Sequence, residues 1–512
     1  MTSYTDVDAA ALERALQAIG VDRLRGMRRG IEKESLRCDA DGRLALTAHP
    51  PALGAALTHP SITTDFSESQ LELITAAHTR VDATLHELRQ IHRHVVHALG
   101  EERLWVSSMP CELPADDEIP IGRYGTSNVG RAKTVYRRGL AHRYGRRMQT
   151  ICGIHYNWSL PGLGNDDYLA LIRNFRRHAF VLLWLLGASP LVLASFVADR
   201  AHDLVPIGGA FGLPHATSLR MGRLGYQSDA QSRIAVSYND LEGYCRSLEQ
   251  ALTTPYPPYE AIGLRDASGQ RLQLAPTLLQ IENEFYATIR PKRRIRTGER
   301  PLHALRGRGI EYVEVRCLDL DPFEPLGIGA STMHLLDVFL LYCLLWPSPP
   351  DTPAERDALA RNQQATAARG REPGLRLERD GREVPLVEWA AEILEACRPL
   401  AGGLDAAHGG SAHREALQRA LALLDRPQDT PSARVLARTI EAHRGSFLAF
   451  ANECGERTRA SLLVPPLDAE DDARYRRQAE ASIAEQRARE ASDTLPFDAY
   501  LEAYLSPASL RP

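Results

Sequence analysis

The sequence predicts an α+β protein in which an antiparallel sheet carries a site on one polar face, followed by a mainly helical region. Three observations lead there. Residues 30–37, 149–160, 280–290 and 310–318 alternate apolar and polar side chains with the period of two that a strand imposes. Their polar positions hold carboxylates, arginines and one histidine, whereas a solvated sheet face is normally rich in Lys, Thr and mixed charge. From Val387 onward the pattern turns helical and rich in Ala, Leu, Arg and Glu.

In chain order, Ala11, Leu12, Leu16 and Ile19 mark an amphipathic helix over residues 8–20 that stops at Gly20. Asp6, Asp8 and Glu13 precede any apolar run, so the basic start of a secretory signal is missing. In residues 30–37, Glu32 and Glu34 project from one strand face and Lys33 from the other. Two like charges held that close persist most easily with a cation between them. Asp39 to Gly42 is turn chemistry and residues 44–47 a partner strand, which together predict a hairpin. Residues 62–75 add Asp65, Glu68 and Glu72, and residues 79–99 read as a helix from Val81, Leu85, Leu88 and Ile91.

Residues 131–147 hold seven Lys or Arg and no acid, with Tyr136 and Tyr144 interleaved. Such a run reads as a solvated helix, a nucleic-acid face or an anion pocket. In residues 149–160, Cys152, Ile154, Tyr156, Trp158 and Leu160 form the apolar face, with Gln149, His155, Asn157 and Ser159 opposite. Residues 179–198 carry no charge, a length that could span a bilayer, but Gly187, Ser189 and Pro190 divide them into two short buried segments. In residues 280–290 the pattern predicts Gln280, Glu282, Glu284, Tyr286 and Arg290 on one face, and in residues 310–318 it pairs Glu314 with Arg316. Prolines and glycines after Pro347 mark a boundary, giving expected units of 1–346 and 347–512. Residues 468–493 are polar almost all round, as in a solvent-facing helix.

A chain of 512 residues with a formal charge of −4 has no global pull toward nucleic acid or membrane. Eight cysteines without a CxxC pair favour free thiols in a reducing compartment, hence a cytoplasmic protein. The polar faces together offer Glu32, Glu34, Asp65, Glu72, His155 and Glu314. Oxygen donors of this kind favour Mg²⁺ or Mn²⁺ over zinc. Several such ions beside arginines and lysines suit phosphoryl transfer from ATP. No GxxxxGK[ST] loop is present, so the nucleotide is expected on the sheet itself.

The motifs IEKESLR, ITTDFSESQLELIT, RYGTSNVGRAKTVYRRGL, YGRRMQTICGIHYNWSLP, ATSLRMGRLGY, QIENEFYATIRPKR and GIEYVEVRCLDLDPFEP occur in this order. Together they resemble the proteobacterial type of glutamate-cysteine ligase, densely over residues 20–330 and loosely beyond. The resemblance implies a glutamine-synthetase-like carboxylate-amine ligase fold, a curved antiparallel sheet with helices behind it. It implies that ATP phosphorylates the γ-carboxyl of L-glutamate and that the amine of L-cysteine attacks the acyl phosphate, the first step of glutathione synthesis.

By matching motif, Glu32, Glu34, Asp65, Glu72, His155 and Glu314 become ligands of Mg²⁺, and Arg316 and Arg220 catalytic groups holding carboxylate or phosphate. Tyr136, Leu140, Gln149, Tyr226 and Tyr286 match the cysteine pocket, and Asn283, Arg290, Lys292 and Arg293 the nucleotide site. The resemblance further implies a monomer without nucleic-acid or membrane partners, with glutathione as a candidate inhibitor. A ligase accepting a different amine is the alternative. The connection from Gly162 to Tyr168 is shorter than in the enteric pattern, which affects local loop structure only.

Overall fold

A computed structural model describes residues 9–225, 229–296 and 298–512. The central sheet has seven antiparallel strands: β1 (Arg28–Cys38), β2 (Ile62–Thr64), β3 (Gln70–Ile74), β4 (Arg103–Leu104), β5 (Ile154–Ser159), β6 (Ile289–Lys292) and β7 (Tyr312–Leu318). Their order is β2-β3-β1-β5-β7-β6, with β4 pairing off the end of β1. Register decides what meets what. Glu34 stands opposite Glu72, Glu32 opposite His155, and Glu314 opposite both Asn157 and Arg290. Alternation then puts these side chains on one face, here the front.

The back face is apolar because the intervening positions are Ile31, Ile154, Tyr156, Trp158, Val313 and Val315, all fully buried. Against it lie α2 (Val81–Leu99), α4 (Asn165–Leu186) and α5 (Ala330–Leu345). Phe175 of α4 meets Phe339 of α5 edge to face at 5.8 Å. Truncating either ring to alanine costs about 3–5 kcal/mol in a core packed this way. The uncharged stretch 179–198 ends its helix at Leu186, turns at Gly187 and continues as a short strand, Leu191–Leu193. No helix of the described residues is long and apolar enough to cross a membrane.

The front face is flanked by α3 (Asn128–Tyr144), and α1 (Ala9–Ile19) opens the chain as its apolar spacing predicts. Later helices include α6 (Arg398–His408), α7 (Ala412–Asp425), α8 (Ala469–Ser492) and α9 (Phe497–Leu505). One apolar cluster joins Trp158 and Trp184 to Trp389, Leu400 and Leu417, so the core runs unbroken past residue 347.

Three local expectations are corrected. Residues 146–149 form a helical turn after Gly145, whose φ of 81° ends α3, so the strand begins only at Ile154 and Gln149 is not on it. Residues 282–284 form a 3-10 turn, and only residues 289–292 of that segment are strand. The Asp39–Gly42 turn closes through a single bridge from Cys38 to Leu44, not a full hairpin strand.

Candidate functional site

Glu32 and Glu34 leave β1 on the front. Lys33, as alternation requires, is buried behind, its Nζ 2.7 Å from His92 Nε2. Each carboxylate is held by the sheet around it. Glu32 Oε1 accepts from Asn157 Nδ2 at 2.9 Å, and Oε2 lies 3.1 Å from His155 Nδ1. Glu34 Oε2 accepts from the backbone N–H of Gly153 at 2.9 Å, and Oε1 lies 3.6 Å from His155 Nε2. The absence of a Cβ at position 153 leaves room for the buried Arg220 guanidinium to lie against the backbone there. On β7, Glu314 is nearly sealed from solvent and contacts Arg316 Nη1 at 2.9 Å and Lys292 Nζ at 3.1 Å.

Packing carboxylates into a partly dehydrated face separates their proton affinities. Burial and the Asp65 charge push Glu34 up to about 8. Burial and the charges of Glu32, Asp65 and Glu34 push Glu72 well above the usual carboxylate range. Burial would raise Glu314 as well, but Lys292 and Arg316 outweigh it and hold this carboxyl well below that range. Burial and Arg316 lower His155, which favours the neutral imidazole that can act as a ligand.

Glu32, His155 and Glu314 each offer a ligand atom, all within 4.8 Å of one another. A set dominated by carboxylate oxygen fits a hard divalent ion, and the raised protonation of Glu34 and Glu72 is what added positive charge would relieve.

These groups wall a cavity of about 500 Å³. Of the residues anticipated from sequence, Glu32, Glu34, Asp65, Glu72, His155, Glu314, Arg316, Tyr136, Leu140, Gln149, Tyr286, Asn283, Arg290 and Lys292 line it. Gln149 Nε2 donates to the Tyr286 hydroxyl at 3.0 Å, joining two of the anticipated pocket residues across 137 positions of chain. Arg293 departs from the expectation. One step beyond Lys292 it faces the other way, donating to the Arg308 carbonyl at 2.6 Å. Arg220 is not among the residues lining the cavity; its Nη2 donates to the Arg316 carbonyl at 2.8 Å and its positive charge opposes the rise in Glu34 proton affinity. Tyr226 lies outside the described residues.

The basic run turns inward more than a solvated helix would. Arg143 is buried against Glu284 at 2.9 Å, and Arg137 stacks 4.4 Å over Tyr124. Lys133 lines the cavity, as do Arg489 of α8 and Tyr500 and Tyr504 of α9. Arg489 had no signal in sequence, because a helix polar all round does not reveal which turn meets a cavity, and the apolar pattern of α9 does not distinguish its cavity-lining tyrosines from its packed side chains. Glu282 and Glu284 were expected beside Arg290 on a strand. In the 3-10 turn they pair instead with Arg300 at 2.6 Å and with Arg143.

An antiparallel sheet whose acid-bearing face also presents arginine and lysine, backed by helices, defines a glutamine-synthetase-like carboxylate-amine ligase. A sequence model of glutamate-cysteine ligase matches residues 14–366. The glutamate-cysteine ligase of Pseudomonas fluorescens is 48% identical over 494 residues, covering 93% of this chain and 92% of that one. A crystal structure of the Francisella tularensis glutamate-cysteine ligase in complex with AMP superposes with a TM-score of 0.89 at 35% identity, covering 94% of this chain and 97% of that one. A bifunctional glutathione synthetase from Pasteurella multocida gives a TM-score of 0.69 at 26% identity over 89% of this chain and 55% of that one. The chain belongs to the glutamate-cysteine ligase family.

Proposed function

We infer that the protein joins the γ-carboxyl of L-glutamate to the amino group of L-cysteine at the expense of ATP, the first step of glutathione biosynthesis. The observation that carries this reading is the register of β3, β1, β5 and β7, which gathers Glu72, Glu34, Glu32, His155 and Glu314 opposite a supply of fixed cations. In the first half-reaction a γ-carboxylate oxygen of glutamate attacks the γ-phosphorus of ATP. The bond to the β-phosphate oxygen breaks, and ADP leaves. In the second, the cysteine amine attacks the acyl phosphate carbon, inorganic phosphate departs, and the amine loses a proton.

Glu32, Glu34, Asp65, Glu72, His155 and Glu314 are the residues that would hold Mg²⁺, which when bound offsets phosphate charge during transfer. Arg316 and Lys292, aligned by Glu314, face the cavity as fixed cations for phosphate or carboxylate oxygens. Arg220 holds the Arg316 carbonyl and adds positive charge beside Glu34. Gln149, Tyr286, Tyr136 and Leu140 form one wall, in which a polar pair borders an apolar side chain and suits the small cysteine. Arg290 and Asn283 border the nucleotide end, and the Arg290 side chain donates to the Asn283 carbonyl at 3.1 Å.

Glutathione carries the γ-glutamylcysteinyl part of the product and is the natural competitor here. All eight cysteines are buried thiols, which accords with work in the reducing cytoplasm.

ADP release with ATP, glutamate and single amines tests the reading. Cysteine is expected to give the largest stimulation. ADP formation no greater with cysteine than without any amine would remove it.

A further inference from the structure

On the back of the sheet, where none of the residues lines the catalytic cavity, a second cluster of ligand-type side chains is assembled from three helices and β1. His334 and Asp337 lie one turn apart on α5, and His413 sits in the first turn of α7. We propose that His334 and His413, with Asp337, bind a divalent ion of the zinc class.

The imidazole geometry carries the proposal. A zinc ion with bonds of 2.0–2.1 Å holds two nitrogens about 3.4 Å apart at a tetrahedral angle. His334 Nδ1 and His413 Nε2 are 3.3 Å apart. His413 Nδ1 donates to Asp405 Oδ1 at 2.9 Å, which leaves Nε2 with its lone pair directed to the partner ring. Asp405 is itself fixed by the backbone N–H groups of His413 at 2.9 Å and Arg414 at 3.1 Å. A carboxylate that orients an imidazole in this way is the usual support of a metal-binding histidine.

The third group is Asp337, whose Oδ2 lies 3.9 Å from His413 Nε2. The ligand atoms of all three residues fall within 4.8 Å. Asp337 is held by Arg29 at 2.7 Å and by the Tyr156 hydroxyl at 2.9 Å, so its charge is partly neutralised. A partly neutralised carboxylate with two nitrogens gives little to Mg²⁺ and favours an ion that prefers imidazole.

A plain imidazole–imidazole hydrogen bond would account for the pair alone. It leaves out Asp337, whose ligand atom falls with those of both imidazoles within 4.8 Å. Burial and His413 together lower His334 to about 4, so it stands in the neutral form a metal requires. Through Arg29 the ion would tie α5 and α7 to β1, three residues before Glu32, which makes its role structural.

The test is a cobalt titration of chelator-treated, full-length protein held in excess Mg²⁺. The expected result is one Co²⁺ per chain with an intense tetrahedral visible band, lost in His334→Ala and His413→Gln. Asp405→Asn is expected to weaken Co²⁺ about 10–100-fold. His334 is only half-buried, so its variant remains decisive even if His413→Gln misfolds. Absence of the band in the natural protein, or its survival unchanged in His334→Ala, overturns the proposal.

Discussion

The two faces of β1 handle charge in opposite ways. Behind the sheet Arg29 is paired with Asp337 at 2.7 Å, while Lys33, 2.7 Å from His92, is driven toward its neutral amine by burial. In front, Glu34 faces Glu72 across the strand pair and both bind protons more tightly than usual, while Glu314 is held by two cations. On the back of β1 charge is paired, as at Arg29, or shed, as at Lys33. The front face retains repulsion that a proton or a bound cation relieves, and this is the electrostatic mark of a binding site.

The largest expected effect tests the front. Glu34→Gln and Glu314→Gln should each lower kcat by about 10²-fold or more, the scale of losing one charge-stabilising group. Their stabilities should diverge. Removing Glu34 relieves repulsion and raises Tm of the ligand-free protein at pH 8, whereas removing Glu314 strips Lys292 and Arg316 of their partner and lowers it. Steady-state ADP release and thermal melts check both. Near-normal turnover in Glu34→Gln, or a shared direction of Tm, would sink the contrast.

The back face should respond in stability first. Asp337→Asn leaves the buried Arg29 guanidinium short of its counter-charge, and breaking such a pair costs about 3–5 kcal/mol. Denaturant melts should show that loss while kcat of the folded fraction stays near normal. A stability change under about 1 kcal/mol would mean that the pair is not closed as described.

Much of this division was legible in the sequence, and the reasons are specific. Period-two alternation marked β1, β5 and β7 and put Glu32, Glu34, His155, Glu314 and Arg316 on the polar side. Alternation misled at residues 280–290, because Glu282 and Glu284 satisfy a strand pattern while pairing with Arg300 and Arg143, contacts that only the folded chain makes. The inward turn of Arg143 was hidden for the same reason. Arg489, Tyr500 and Tyr504 reach the cavity from helices whose own pattern carries no sign of it. The ligase fold itself was indicated by family motifs, not by periodicity.

A smaller effect separates the faces by pH. Glu34 is raised to about 8, so the folded state binds its proton more tightly than the unfolded chain. Its contribution is therefore lost as pH rises from the ordinary carboxylate range through about 8. Burial lowers Lys33 to about 7, so the unfolded chain binds that proton more tightly and stability grows as pH rises from about 7 toward the ordinary lysine range. Tm against pH should fall in the first window for the ligand-free natural protein and fall less steeply there in Glu34→Gln, where Glu72 still titrates. In Lys33→Met the rise above pH 7 should disappear. A Glu34→Gln profile parallel to the natural one from pH 5 to 8 would remove the front-face account.

The smallest effect lies at the edge of the front face, where a neutral pair replaces the charges. Gln149 donates to Tyr286 at 3.0 Å, and neither side chain carries an ionised group. Tyr286→Phe keeps the ring and deletes one hydrogen bond, worth about 1 kcal/mol. If the pair shapes the amine pocket, that energy appears as about a fivefold rise in KM for cysteine. The kcat and the KM for ATP should be unchanged, because Glu314, Lys292 and Arg316 are untouched. An equal rise in KM for ATP would place Tyr286 with the charged groups instead, and the neutral edge would no longer be distinct from the ionic floor.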